Sequence, residues 1–338
     1  MNSIKIGIIG CGKQAPKHIS GLKSVAEAEV QLVVADIDQN LADSLSAQFD
    51  VETVSVDSIF QMADLTAIDI CTPVSTHFDL AMRALNSGKH VFCEKPLVTD
   101  IDQARSLESV RKSNSLVCMV GYIYRYAPIL ANFKRLIHNK EFMDVFGEPI
   151  IANFRIGGRG SHQLWKHLAA TGGGAINEML VHMLDLALWY FGDAVKVSLL
   201  SCQQLRSERV IAGVTHSVDA EDSVIIQMEM PSGMIVNIQA DMLTPSFTQF
   251  VEVQGENGTF CGSIQQSFNS YLFLNEAVCD YDQGLNELDA QPSNLFEAQM
   301  GGFVNNILDH NAGGSPSIED SIKLLEVVDQ INNRRYEY

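Results

Sequence analysis

Residues 171–185 read TGGGAINEMLVHMLD, three glycines running into a stretch of helical spacing that carries Glu178, His182 and Asp185. Glu178 and His182 are four residues apart and Asp185 follows three later, so an α-helix would place all three on one face. The other side, with Met179, Leu186 and Trp189 extended by Leu184 and Leu188, is apolar, which predicts a largely buried helix. A buried carboxylate or imidazole without partners is costly, so a shared polar cluster is the expectation. The alternative is an ordinary polar stripe on a surface helix. An imidazole held in such a cluster suits proton transfer, because its ordinary pKa lies near neutrality. Glycine is costly inside a helix and free where backbone turns sharply or approaches a ligand closely, so the position of Gly172, Gly173 and Gly174 is what has to be explained.

A second group is Cys93-Glu94-Lys95-Pro96-Leu97, where Lys95 ends an apolar β-branched run and precedes a proline. A lysine at a strand's carboxyl end points into the ligand cleft of a parallel sheet. Taken alone, a surface Lys95 paired with Glu94 would explain it equally well.

The third group is Gly10-Cys11-Gly12-Lys13-Gln14-Ala15, a GxGxxA turn that follows the first apolar run and opens a helix, with Asp36 ending the second run. That context is the dinucleotide fingerprint. Gly10 permits the tight turn, Gly12 lets backbone approach a pyrophosphate, and Ala15 lets the helix pack closely. The helix amino terminus offers N–H groups to phosphates, and Pro16 is tolerated in its first turn. Asp36 would accept hydrogen bonds from ribose hydroxyls and repel a 2′-phosphate, which predicts NAD in preference to NADP. The alternative makes Asp36 and Asp38 solvated residues capping the next helix. Thr72 and Pro73 lie at another strand end, with His77 in the first turn of the helix beyond, where packing is weighed above chemistry. The residues expected around the dinucleotide are thus Gly10, Gly12, Lys13, Gln14, Ala15, Asp36, Thr72, Pro73, His77, Glu94 and Lys95.

The elements that must position these groups alternate. Apolar runs at 4–9, 30–36, 67–72, 89–94 and 115–122 are separated by helical stretches such as LADSLSAQF and FDLAMRALNSG. Unbroken apolar strands separated by helices predict an α/β fold, a doubly wound parallel sheet covered on both faces. Farther on, EPIIANFRIGG, DSVIIQMEMPSG, MIVNIQADM and TQFVEVQGENGTFCG read as strands, with PSGM and GENG as hairpin signals. FEAQMGGFVNNILDH and IEDSIKLLEVVDQINN read as two amphipathic helices, the second capped by Ser317.

At 338 residues the chain favours two domains, and its formal charge of −18 argues against nucleic acid as a partner. No apolar run is long enough for a membrane span, and the first one runs into a glycine turn, so no signal peptide is expected. Seven cysteines without a CxxC pair predict reduced thiols and a cytoplasmic setting. No His, Cys or carboxylate set has metal spacing, so no metal is expected.

Taken together and in order, the GxGxxA turn, the EKP triplet, the GGG-led helix with His182 and the closing SPSIEDSIKLLEVVD resemble the Gfo/Idh/MocA family of nicotinamide-dependent oxidoreductases, over Ile4 to about Asn333. The resemblance implies a Rossmann domain, 1–122, followed by a substrate-binding and oligomerisation domain, 123–338, built on a large open antiparallel sheet, with the last helix packing back on the first domain. A homodimer or homotetramer is implied, since the sheet face commonly forms a subunit interface in the family.

The resemblance also implies roles. His182 is the general base for a substrate hydroxyl and Lys95 holds the substrate oxygen in the same cleft. Glu178, the third catalytic candidate, orients the substrate or His182 and stands where the family commonly has an aspartate. Leu180 stands where a glycine is frequent, and Gly172, Gly173 and Gly174 are implied to keep the ligand cleft clear of side chains. Tyr122, Arg125, Trp165 and Lys166 are substrate-binding candidates beside Lys95, Glu178 and His182, whereas Arg159, His162 and His167 receive no role. The implied reaction interconverts a secondary hydroxyl and a ketone on a sugar, polyol or sugar derivative. Two rivals keep the cofactor: an NAD-dependent glycoside hydrolase working by transient oxidation and elimination, and a non-catalytic NAD-binding regulatory protein.

Overall fold

The structure, a computed structural model, describes residues 2–159, 163–289, 294–309 and 314–334. It contains two compact units, one of Met1–Ile123 with Asn294–Ile322 and one of Tyr124–Ser293 with Lys323–Tyr338.

The first unit is built on six parallel strands: β1 (Asn2–Ile9), β2 (Ala28–Ala35), β3 (Glu52–Thr53), β4 (Ala67–Ile70), β5 (His90–Cys93) and β6 (Cys118–Val120). Between them run α1 (Ala15–Lys23), α2 (Gln39–Phe49), α3 (Val56–Ile59), α4 (His77–Asn86) and α5 (Ile101–Ser113). The strand order is β3-β2-β1-β4-β5-β6, a doubly wound sheet with its switch point between β1 and β4. All four residues of β4 are buried, as a strand covered on both faces requires. The five apolar runs of the sequence are all strands; β3, only two residues long, carries no periodic signal.

The second unit holds α6 (Pro128–Leu136), α7 (Lys140–Phe146), a π-helical turn at Ile176–Leu180 and α8 (Val181–Phe191). Its strands are β7 (Pro149–Gly157), β8 (Lys196–Gln203), β9 (Glu208–Ile211), β10 (Val214–Ser217), β11 (Ser223–Glu229), β12 (Ile235–Asp241), β13 (Thr248–Gly255), β14 (Gly258–Gly262), β15 (Ser270–Leu274) and β16 (Gly284–Leu288). β9 and β10 form a separate hairpin; the other eight form one sheet ordered β16-β15-β14-β13-β7-β12-β11-β8, antiparallel except where β7 meets β12. Burial alternates along β11, β12 and β13, so one face is core. On that face Phe133 of α6 stacks on Phe260 with centroids 3.9 Å apart, and the Tyr190 hydroxyl of α8 donates to the Leu130 carbonyl at 2.9 Å. The other face carries a hydrogen-bonded row, Gln227 to Asn237 (3.0 Å), Asn237 to Asn153 (3.1 Å) and Asn153 to Glu252 (2.8 Å), flanked by half-exposed Ile225, Ile235 and Phe250.

The chain closes with α9 (Leu295–Leu308) and α10 (Ile318–Arg334). α9 packs on α1 so closely that a Cβ on Gly21 would lie 2.7 Å from the Phe296 carbonyl oxygen. Ser317 caps α10 as expected: its hydroxyl accepts the Asp320 N–H, and the Asp320 carboxylate accepts the Ser317 N–H at 2.8 Å. No helix of the described residues is long and apolar enough to cross a membrane.

Candidate functional site

In the first unit the glycine turn leaves β1 with Gly10 at φ +97°, where a side chain is strained and a Cβ would lie 2.8 Å from Thr72 Cγ2. At Gly12, by contrast, a Cβ would meet nothing within 4 Å. Gln14 precedes α1 without a side-chain cap bond, Pro16 sits in the first turn, and Ala15 is fully buried. The open space is at Gly12, beside exposed Lys13, while the Lys17 and His18 N–H groups of the first turn already donate to the Gln14 carbonyl. Asp36 accepts the Cys11 N–H at 2.6 Å and the Asp38 N–H at 2.8 Å, bracing the turn. The cap of α2 is Asp38, which accepts the Asn40 N–H; Asp36 takes no part in it.

Beneath the turn lies a charged cluster that the motifs did not disclose. His18 of α1 is fully buried, with Nδ1 2.9 Å from Asp69 Oδ2 and Nε2 3.1 Å from Glu94 Oε1. Burial alone would lower the His18 pKa, but the Asp69 carboxylate, with help from Cys71, raises it well above its ordinary value. Glu94 is pushed up by burial and more strongly down by the His18 hydrogen bond, the His18 charge and Lys95, ending at about 2. The group His18, Asp69 and Cys71 is close enough to hold a metal ion. It is already a hydrogen-bonded set, with Cys71 Sγ 3.4 Å from Asp69 Oδ1. One signal for it was in the sequence: Asp69 is the lone acid in the apolar strand AIDI, and a buried acid needs a partner.

Glu94 also accepts the Lys95 N–H at 3.2 Å, which ties the cluster to the half-buried Lys95, whose peptide bond to Pro96 is cis. His77, expected near the cofactor, is buried elsewhere: its ring lies between the carbonyl oxygens of Thr72 (2.8 Å) and Pro96 (2.9 Å). It links the ends of β4 and β5, and both ring nitrogens are engaged by backbone. Tyr122 is likewise 1% exposed, with its hydroxyl 2.9 Å from Ser321 Oγ, so the structure gives it a packing place instead of a substrate-facing one.

In the second unit the three glycines lead into a π-helical turn before α8 begins at Val181. The α-helical count from Glu178 to His182 therefore does not hold, because a π turn takes more residues per revolution, whereas His182 and Asp185 both lie in α8. The three side chains have separate partners. Glu178, 8% exposed, forms an ion pair with Lys166. His182 is half-buried with its ring 4.8 Å from that of Tyr124, whose hydroxyl pKa burial raises. Asp185 accepts two hydrogen bonds from Arg125, at 2.9 and 2.6 Å, with both side chains buried. Arg125, expected to meet substrate, is thus a core residue engaged end to end by the carboxylate and lying 5.5 Å from the Trp189 ring.

The glycines are also explained differently. A Cβ on Gly173 would lie 2.5 Å from the Lys166 carbonyl oxygen, and one on Gly174, at φ +114°, 2.4 Å from Glu221 Oε1. What approaches closely is the chain itself: Gly174 N–H donates to the Lys166 carbonyl and Ala175 N–H to that of Glu221. The turn is thereby folded against Lys166, whose ammonium sits 5.1 Å from the Trp165 ring centroid. His167 is buried and its carbonyl accepts the Asp219 and Ala220 N–H groups; His162 lies outside the described residues.

Residues 4–122 match the model described as oxidoreductase family, NAD-binding Rossmann fold, and residues 133–261 match the GFO/IDH/MocA C-terminal domain. The chain belongs to the Gfo/Idh/MocA family of oxidoreductases. An inositol 2-dehydrogenase of Rhizobium meliloti (strain 1021) is 27% identical over 266 residues, covering 78% of this chain and 77% of that protein. A levoglucosan dehydrogenase of Pseudarthrobacter phenanthrenivorans is 23% identical over 286 residues, covering 77% and 73%. A solved structure of levoglucosan dehydrogenase in complex with NADH shares the fold at TM-score 0.88 and 20% identity, over 99% of this chain and 98% of that one.

NAD is the cofactor of this Gfo/Idh/MocA protein, and the residues present fit it. The space at Gly12 is open, as close approach of a diphosphate to the backbone requires, and the turn leads into α1. Asp36 follows β2 directly and keeps its carboxylate against the glycine turn through the Cys11 N–H.

Proposed function

We propose that this protein is an NAD-dependent dehydrogenase, or the corresponding reductase, acting at a secondary hydroxyl or ketone of a sugar, polyol or sugar derivative. The observation that carries this is His182, set half-buried where the π turn meets α8 with its ring against Tyr124, directly after the turn that holds Glu178 on Lys166. Buried acids and bases at such a junction are a common form of catalytic site. The named relatives, an inositol 2-dehydrogenase and a levoglucosan dehydrogenase, support the substrate class.

Bound NAD supplies the hydride acceptor. His182 takes the hydroxyl proton in oxidation and returns it in reduction. Lys95 donates a hydrogen bond to the substrate oxygen and stabilises its alkoxide character. Lys166 and Glu178 offer a cation and an anion side by side, a pairing suited to neighbouring hydroxyls. The half-exposed sheet face around Ile225, Ile235 and Phe250 serves as a subunit interface in a homo-oligomer. The seven free cysteines suit a reducing compartment.

The deciding experiment follows NADH absorbance with NAD and a panel of inositols, aldoses, uronic acids and sugar phosphates, for wild type, Lys95→Ala and His182→Ala. One substrate class should be oxidised, with kcat reduced about 10²- to 10⁴-fold in His182→Ala. Glycoside cleavage without net NADH would replace this reading with the hydrolase, and tight NAD binding without any turnover would replace it with the binding protein.

A further inference from the structure

Within the second unit a cavity of about 510 Å³ is lined by Arg159, Arg206 and Arg209 together with Leu205, Leu243 and Pro245. Three of the chain's eleven arginines thus line one cavity in a protein of formal charge −18. That is opposite in sign to the protein around it, and like charges gather only where structure or a counter-charge holds them.

Two acidic turns build the cavity. Asp222, 3% exposed, accepts the N–H groups of Leu205 (2.8 Å) and Arg206 (3.0 Å) and lies 3.2 Å from Arg209 Nη2. On the opposite rim Asp241 accepts the N–H groups of Leu243 (2.8 Å) and Thr244 (2.7 Å) and pairs with Arg155. Both carboxylates are therefore engaged in shaping the loops, and only Asp222 touches a cavity arginine. Among the described residues no acid forms an ion pair with Arg159 or Arg206, and Arg209 Nε is buried without a hydrogen-bond partner. Three arginines, two of them exposed, thus line a cavity of small-molecule size in which one carboxylate pairs with one of them.

Arg159 of the cavity stands one residue from a backbone approach to the π turn. Arg159 follows Gly158, where a Cβ would lie 3.7 Å from Cε of Met179, three residues before His182. Guanidinium groups recognise phosphoryl and carboxylate oxygens in pairs, and two apolar side chains with a proline beside them suit the carbon skeleton that carries such a group.

We propose that this cavity binds an oxyanionic group, phosphoryl or carboxylate, carried by the sugar substrate. The anion site stands on the cavity alone; its assignment to the substrate rests on the dehydrogenase reading above.

The test has two arms, both with the full-length protein loaded with NAD. Calorimetric titration with inorganic phosphate should show saturable binding, weakened about tenfold in Arg159→Gln and in Arg206→Gln. Arg105→Gln, which removes the same charge from an exposed helix in the first unit, should bind like wild type. In the second arm, kcat/KM for a sugar phosphate or uronic acid is divided by that for its neutral parent. This ratio should fall about tenfold in the two cavity variants and stay put in Arg105→Gln. Absence of phosphate binding to wild type, or an equal loss in Arg105→Gln, overturns the site. An unchanged ratio overturns its assignment to the substrate. Phosphate binding with no sugar oxidised at all sinks the dehydrogenase reading and the substrate assignment together, and leaves the anion site standing.

Discussion

His18 Nε2 lies 3.1 Å from Glu94 Oε1, so the imidazole at the base of the glycine turn is bonded to the glutamate of the EKP triplet. Asp69 holds the other ring nitrogen, and an imidazolium between two carboxylates satisfies all three groups without water. The His18 pKa stands above its ordinary 6.5, so its contribution to stability is complete below that pH and is lost as pH rises through the folded value. The Glu94 pKa falls from 4.5 to about 2, so its contribution is complete above 4.5 and is lost as pH falls towards 2. Both are present in full between those ordinary values. His18→Asn should therefore lower Tm most between pH 4.5 and 6.5, by the equivalent of several kcal/mol, with the deficit narrowing in acid and in alkali. Thermal denaturation of both proteins across pH reads this directly, and a deficit of constant size would exclude the charged triad.

Arg125 and Asp185 make the second buried pair. Arg125→Leu leaves Asp185, 2% exposed, without its two-pronged partner, and should cost on the order of 3–5 kcal/mol in urea denaturation. Adding Asp185→Leu should recover part of that loss, since an apolar pair removes the buried charge. If Arg125→Leu instead raised KM with stability intact, the arginine would belong to the substrate site after all.

These pairs mark the boundary of what the sequence disclosed. The parallel sheet, the glycine turn, the PSGM and GENG hairpins and the Ser317 cap depend on residues close in the chain, and all are present. Arg125 and Asp185 are 60 residues apart, and His18 and Glu94 76, so no local period could join them. The π turn escaped because Ile176–Leu180 has the composition of an ordinary α-helix; its phase is set by contacts of Gly173 and Gly174 with Lys166 and Glu221. The glycines were read as a close approach to a ligand; what approaches Gly173 and Gly174 is instead backbone and a carboxylate of the same unit.

Gly12 and Gly174 should respond oppositely to alanine. At Gly12 the added methyl meets no protein atom within 4 Å, so Gly12→Ala should leave Tm unchanged while weakening NAD binding about tenfold or more by obstructing the diphosphate. At Gly174 the methyl would lie 2.4 Å from Glu221 Oε1 with φ at +114°, and Gly174→Ala should destabilise by about 1–3 kcal/mol or more. Fluorescence titration with NADH and thermal denaturation separate the two effects. A Gly12→Ala protein that binds NADH like wild type would remove the turn from the cofactor site.

The Lys166–Glu178 pair permits a sharper test, because one interaction is asked to serve both stability and chemistry. Lys166→Met removes the cation from the nearly buried Glu178, and Glu178→Gln removes the carboxylate charge from the ammonium, so each should destabilise by about 1–3 kcal/mol. If the pair acts only on itself, the double variant should lose less than the sum, with a coupling of about 0.5–3 kcal/mol. Kinetics then distinguish scaffold from site. A pair that positions substrate hydroxyls should raise KM in both single variants, while the acid-side fall of the oxidation rate, which reports an unprotonated base, persists and disappears only in His182→Ala. Equal kcat and KM in wild type and Glu178→Gln, despite the stability loss, would reduce the pair to a structural clamp on the glycine turn.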